Sequence, residues 1–415
     1  MGLSHPVCAR LQEQYGNERC KIAVSSMCGF RTSMEDSHTV CLNMKRHPHA
    51  TFIGVYDGHG GHDAARYCAE HLLDKIDGLD DWSDQGLKDA VMEFDVQFCS
   101  PENQTRGHGC ACVFVIVEHE QGVDREDSIR LTISNSGDCR ALWSFSSSEH
   151  QDFVDALTVD HKPSLELEKA RIVKAGGHVA ADRVDGDLAL SRAIGDWKYK
   201  CNPDVPFEEQ KVIALPDIQR RHITASVGQG YLLVACDGIF ERLSNEMVHA
   251  VIHKCLNVSD NPLETVNELL RASLAAGSRD NMSAALLLFG NGASYHRDAT
   301  TMHFGPIVKD NPMFMATFHK FCADCGYEDE ALEYANNYND DDGPHSPETE
   351  ADKAASVSSP PAAGRRFRLL TRDSNGKEIY LSEMLDNCED GDEEGSPQQG
   401  QAVEDEDMEI VASTW

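Results

Sequence analysis

VYDGHGGHDAARY, residues 55–67, follows an apolar run and sets one Asp, two His and three Gly into positions 57–62. The run Thr51–Tyr56 reads as a buried strand that surfaces at Asp57, and Asp-Gly and Gly-Gly are residues with which a chain leaves a strand and reverses. Glycine there also lets backbone and ligand approach closely. Past Gly61 the period changes: Ala64, Cys68, Leu72 and Ile76, with Ala65 and Leu73 beside them, form one apolar stripe at helical spacing. A strand, a turn and a helix thus follow one another directly, with the polar residues at the junction.

Similar elements extend outward in both directions. Lys21–Ser26, Cys110–Glu118, Ile129–Asn135, Tyr231–Cys236 and Ser283–Phe289 are β-branched or apolar runs of the kind buried in stacked sheets. Helical stripes fall at Leu87–Phe98, Leu165–Ala175, Asn245–Lys254 and Pro262–Ala276. Cys110–Glu118 and Ile129–Asn135 are consecutive strands joined by the charged turn EHEQGVDRED, which favours antiparallel pairing over a doubly wound parallel sheet. The fold class expected is α+β, with packed antiparallel sheets flanked by helices.

The alternation runs from residue 21 to residue 291. Residues 1–20 read as an N-terminal extension, 292–338 as a helical extension, and 339–364 as a linker rich in Asp, Ser, Pro and Ala. Residues 365–386 carry an Asn-Gly turn signal between two short apolar runs and a basic cluster, Arg365, Arg366, Arg368 and Arg372, within an acidic protein; 387–415 read as an acidic disordered tail. Attraction between that cluster and the acidic residues 21–291 could dock the hairpin-like segment, and a nuclear import signal or a partner-binding strand is the alternative reading. Residues 340–415 hold 20 acidic and 6 basic side chains, net −14, which leaves −19 for the first 339.

A chain of 415 residues that is 40% apolar can build a sizeable core, and it has no run of about 18 apolar residues to span a membrane. MGLSHPVCARLQ lacks the apolar region of a secretory signal, and Pro6 stands where a myristoylation motif after Gly2 wants Ser or Thr. A net charge of −33 repels nucleic-acid phosphates and suits a protein that collects cations. Fifteen Cys without framework spacing read as reduced thiols of a cytoplasmic protein, and the solitary CxxC at Cys322–Cys325 lacks the second pair a zinc site needs.

The chemistry emerges when strand ends are compared. Asp57-Gly58 and Asp237-Gly238 each terminate an apolar run, and Ile129–Asn135 leads through Ser136-Gly137 into Asp138. Glu35 and Asp36 follow an early strand, and Asp280 precedes a late one. Taken singly, each is a turn residue. Together, like charges so placed would raise one another's pKa unless cations neutralise them. Oxygen donors without clustered His or Cys select Mg²⁺ or Mn²⁺, and two such ions about 4 Å apart activate water as hydroxide for in-line attack on phosphorus.

GFRTSMED (29–36), VYDGHGG (55–61), NSGDCRA (135–141), DHKP (160–163), RIVKAGGHV (171–179), DLALSRAIGDWKYK (187–200), LLVACDGIFE (232–241) and GSRDNMSAALL (277–287) stand in the order in which they occur in the metal-dependent type 2C serine/threonine protein phosphatases, and over about two thirds of its length the chain resembles that family. The resemblance implies two antiparallel sheets packed as a central sandwich with helices on both outer faces, and a binuclear metal centre at one end. It makes Asp57 the carboxylate that bridges two metals, the Gly58 carbonyl a further ligand, and Asp237 and Asp280 the remaining direct ligands. Glu35 and Asp36 would hold metal-bound water or support the site, Asp138 would help bind a weaker third metal, Arg31 would clamp phosphate, and His59 would be the general acid. His can donate a proton near neutral pH to a poor alkoxide leaving group, and a guanidinium fork suits two phosphoryl oxygens. His62 acquires no role.

Two departures stand out. His108-Gly109-Cys110-Ala111 replaces the family's Gly-Ser-Thr-Ala, and Glu241 replaces an Asp near the third metal. The function implied is hydrolysis of phosphoserine and phosphothreonine in phosphoprotein substrates by a monomer located in the cytoplasm and also in the nucleus. A binding-only pseudophosphatase would require broken ligands, and a small-molecule phosphoesterase would be told apart by its preference for nucleotide or sugar phosphates.

Overall fold

The computed structural model describes residues 2–100, 107–120, 128–144, 153–224, 230–295, 299–338, 368–372 and 378–380. Two antiparallel sheets form its centre. One sheet runs in the order β15-β1-β2-β14-β13-β7-β8, where β15 is Ala299–His303, β1 Val7–Gly16, β2 Cys20–Gly29, β14 Met282–Phe289, β13 Tyr231–Ala235, β7 Arg140–Ser144 and β8 Val154–Ala156. The other runs β12-β6-β5-β4-β3, with β12 at Asp217–Thr224, β6 at Ser128–Ser136, β5 at Gly109–Glu120, β4 at Ala50–His59 and β3 at Ser37–Cys41. A two-residue strand β11, Ile194–Gly195, adds to the end of β5, and β9 (Val179–Ala180) pairs with β10 (Arg183–Val184) outside both sheets.

Side-chain alternation along each strand explains the three stacked apolar layers. Ile22 and Val24 of β2, Ile53 and Val55 of β4, Val113 and Val115 of β5 and Val234 of β13 meet between the sheets. Their neighbours point outward. Ala23, Met27 and Leu233 pack against α5 (Asn245–Leu256) and α6 (Pro262–Ala275) through Val248, Ile252, Val266 and Leu270. Phe52, Tyr56 and Phe114 pack against α1 (Asp63–Asp77) and α2 (Asp84–Phe98) through Cys68, Leu72, Val91 and Phe94. Both faces of the central strands are covered, which is why they read as continuous apolar runs rather than as alternating ones. This is the α+β sandwich expected. Helix α3 is Glu166–Lys174, and a short helix α4, Asp237–Phe240, follows β13 directly.

Several boundaries differ from the sequence reading. Residues 7–16 are not an appendage: β1 pairs with β2 from Gly16↔Lys21 to Val7↔Gly29 and buries Val7 and Ala9 completely. The polar run Gln12–Gln14 hid this edge-side strand. Residues 299–303, within the segment read as helical, pair with β1 as β15, and the helices α7 (Pro312–Asp324) and α8 (Glu328–Asn337) pack Phe314, Phe318 and Ala331 against Leu3, Val7 and Ala9. In the C-terminal region β16 (Arg368–Arg372) and β17 (Glu378–Tyr380) pair antiparallel. The linker 339–364, the remainder of 365–386 with Arg365 and Arg366, and the tail 387–415 lie outside the described residues.

Candidate active site

Strand β4 does not stop at Tyr56. It runs on through Asp57, Gly58 and His59, which pair with Ala111, Cys110 and Gly109 of β5, so these three residues are held by a sheet register and not by a turn. The turn comes one step later, at Gly60 and Gly61 with φ of 71° and 140°, values that favour glycine. His62 then precedes α1, with its Nε2 3.4 Å from Asp63 Oδ1. The other acidic residues arrive from separate elements. Asp138 lies between β6 and β7, Asp237 opens α4, Asp280 lies between α6 and β14, and Arg31, Glu35 and Asp36 belong to the loop between β2 and β3.

All of them except Asp36 line one open cleft of about 620 Å³ at one end of the sandwich, together with Gly58, His59 and Asn281. Asp36 stands behind it: its carboxylate is buried, its Oδ2 has no hydrogen-bond partner among the described residues, and one donor atom each of Asp36, Asp57 and Cys236 lie within 4.8 Å of one another. The electrostatics follow from this crowding. Burial, then Asp237, Asp36, Asp138 and Asp280, push the Asp57 carboxyl well above the usual carboxylate range. Burial followed by Asp138 and Asp280 raises Asp237 to about 8, and burial with Asp280 raises Asp36 to about 7. Asp280 is also raised by burial, although Arg31 opposes the shift.

Cations answer only part of that charge. Arg31 donates to Asp280 Oδ2 at 2.5 Å, and Lys162 Nζ donates to Asp138 Oδ2 at 2.8 Å. Burial opposes the Arg31 charge, yet Asp280, Asp57 and Asp237 together raise its pKa. Glu35 spans the cleft wall, accepting from Ser33 Oγ at 2.9 Å and from the Gly61 N–H at 3.1 Å. His59 Nε2 lies 2.6 Å from Asp196 Oδ2, and this carboxylate raises the imidazole pKa against the effect of burial. Buried, mutually repelling oxygens with an orphaned carboxylate oxygen are the donor set of a hard divalent cation, so the residues fit one.

Three participants carried no signal of their own in the sequence. Asn281 donates to the Cys28 carbonyl at 2.9 Å and the Ser33 carbonyl at 3.0 Å, and accepts from the Glu35 N–H at 2.9 Å, so it shapes the loop that bears Arg31 and Glu35. Lys162 and Asp196 are the others, and all three lie inside motifs whose neighbours drew attention first. Glu241, the residue that replaces an Asp, reaches the loop before Asp280, where its Oε2 accepts from the Arg279 N–H at 3.2 Å and Ser278 Oγ at 3.3 Å. Burial pushes the Cys322 and Cys325 thiols up to about 12.

Residues 20–282 match the family model described as Protein phosphatase 2C. Among curated proteins, Protein phosphatase 2C homolog 2 of Schizosaccharomyces pombe is 34% identical over 307 residues, which cover 70% of this chain and 78% of that one. Protein phosphatase 1A of Homo sapiens is 35% identical over 288 residues, 65% of this chain and 71% of that one. Among solved structures, a phosphatase from a pathogenic strain of Toxoplasma gondii superposes with a TM-score of 0.62 at 26% identity, over 72% of this chain and all of that one.

Proposed function

The chain belongs to the protein phosphatase 2C family and is a metal-dependent serine/threonine protein phosphatase, and from that premise we propose how its cleft acts on phosphoserine and phosphothreonine. The observation that carries the reading is the convergence of Asp57, Asp237, Asp280, Asp138 and Asp36 from five separate elements onto one end of the sandwich. Asp57, the Gly58 carbonyl, Asp237 and Asp280 would hold two Mg²⁺ or Mn²⁺ ions, Glu35 and Asp36 would support them, and Asp138 would help with a weaker third. Such ions supply a hydroxide from water at neutral pH and offset the charge of the phosphoryl group.

The chain's own residues do the rest. Arg31, reachable from solvent with its side chain 55% exposed, exchanges part of its contact with Asp280 for two phosphoryl oxygens and orients the group in line. His59 at the end of β4 gives a proton to the departing seryl or threonyl oxygen. We place the protein in the cytoplasm and the nucleus, as a monomer; its many buried free thiols suit a reducing compartment.

Phosphothreonine-peptide hydrolysis after chelation, then with Mn²⁺ restored, tests the reading, and turnover that ignores the metal would overturn it. Arg31→Lys keeps the charge and loses the fork. It should lower kcat/KM by about 10–100-fold, since one charged hydrogen bond is worth roughly 1.5–3 kcal/mol. An unchanged kcat/KM removes Arg31 from phosphate binding.

A further inference from the structure

The motif DLALSRAIGDWKYK contributes Asp196, to which neither the metal centre nor the phosphate clamp gives a task. Its side chain is 2% exposed, and among the described residues its carboxylate bonds only His59, at 2.6 Å through Nε2. His59 Nδ1 has no hydrogen-bond partner among the described residues, and the ring borders the cleft beside Asp57. The nitrogen left for a substrate is therefore Nδ1.

Asp196 itself is held on both sides. It has a left-handed backbone, φ 55°, and its N–H donates to the His108 carbonyl at 3.0 Å. The preceding Gly195 N–H donates to Asp95 Oδ1 of α2 at 2.7 Å, and Asp95 Oδ2 binds Lys200 Nζ at 2.6 Å. Lys200 returns to the Ala193 carbonyl at 2.8 Å, so a fully buried ion pair brackets the loop that carries Asp196. The contact with His59 crosses the bare Cα of Gly109. A Cβ there would fall 2.1 Å from Asp196 Oδ2 and 2.3 Å from His59 Nε2. Gly109 is part of this chain's departure at 108–110, so the departure and the His59–Asp196 contact belong together.

We propose that Asp196 is a positioning residue for the phosphatase reaction: it accepts the Nε2 proton of His59, sets the ring plane, and directs Nδ1–H at the seryl or threonyl leaving oxygen. This rests on the reading of His59 as proton donor. As the P–O bond to the leaving oxygen breaks, its electron pair stays on that oxygen, which takes the Nδ1 proton, while water supplies the oxygen gained by phosphorus. The ring ends neutral, its Nε2 proton still shared with Asp196. A carboxylate behind an imidazole fixes tautomer and orientation and stabilises the charged ring.

The test compares Asp196→Asn, His59→Gln and the double variant on a phosphothreonine peptide, whose leaving group needs a proton, and on p-nitrophenyl phosphate, whose leaving group does not. Asp196→Asn should lower peptide kcat by about 10–100-fold, with KM, the Mn²⁺ midpoint and p-nitrophenyl phosphate turnover each within about 3-fold. The double variant should be no slower than His59→Gln. Equal losses on both substrates, or multiplying losses in the double variant, would sink the role of Asp196. If His59→Gln shows no such substrate split, the proton-donor reading falls and Asp196 with it; a split in His59→Gln without one in Asp196→Asn removes Asp196 alone. Should Asp196→Asn not fold, ¹⁵N-imidazole NMR of the wild-type protein decides: a hydrogen-bonded Nε2 proton that vanishes in His59→Gln supports the contact, and its absence overturns it.

Discussion

Asp57→Asn should cut phosphopeptide hydrolysis by at least about 10³-fold and, in the presence of chelator, raise the melting temperature of the same protein. The activity loss follows from removing the carboxylate on which the charges of Asp237, Asp36, Asp138 and Asp280 converge. The gain in stability follows from linkage. Asp57, Asp36 (about 7) and Asp237 (about 8) have folded-state values above the usual carboxylate range, so the folded state binds more protons than the unfolded chain. Stability without metal is accordingly full below about pH 4 with respect to these groups, and declines as pH rises through 7 and 8. Near pH 8, replacing one of these charges by an amide should add on the order of 2 kcal/mol, or a few degrees.

Thermal melts from pH 5 to pH 8.5 with chelator and with saturating Mn²⁺ check both signs. The wild-type protein should lose stability toward pH 8.5 with chelator and hold it with Mn²⁺, because cations bound to the carboxylates remove the difference in proton uptake. Asp57→Asn should show a shallower decline and a smaller response to Mn²⁺. An Asn variant less stable than wild type at pH 8 with chelator would overturn the electrostatic account, and one that retains activity would overturn the role of Asp57.

Lys200→Met should destabilise the protein by about 3–5 kcal/mol, because it strands a carboxylate in a dry interior. Both side chains of the Lys200–Asp95 pair are fully buried, at 0% exposure. Burial pushes the Asp95 carboxyl up while Lys200 draws it back, so the ammonium offsets much of the cost of burying the charge. Asp95→Asn/Lys200→Met should recover more than half of the loss, since the amide oxygen can still accept from the Gly195 N–H. Urea denaturation of the single and double variants measures this. A single variant within about 1 kcal/mol of wild type would show that the pair relaxes into solvent or is not formed.

Much of the core was legible because its code is local. The period-2 and period-3.6 apolar patterns of β4 and α1 are properties of neighbouring residues, and Gly60-Gly61 announces the turn between them. Strands β1 and β12 were not legible. Gln12–Gln14 and Gln219–His222 look solvated in isolation, and they become strands because β2 and β6 offer them a full ladder of hydrogen bonds. At the site, Asp57, Asp237 and Asp138 could be singled out by their place beside glycine at strand ends and Asp280 by its place before a strand, whereas Lys162, Asn281 and Asp196 are ordinary polar residues until their partners are known.

By itself the sequence determined the strand cores, the helices between them, the acidic strand ends and, through the order of its motifs, the family. Tertiary structure alone decided that β4 continues through His59, that Asp36 stands behind the cleft rather than in it, and that Asp196 closes on His59 across Gly109. The reason is separation along the chain. His59 and Asp196 are 137 residues apart, and their meeting depends on the β4–β5 register, on β11 and on the Asp95–Lys200 pair, none of which leaves a trace in local composition.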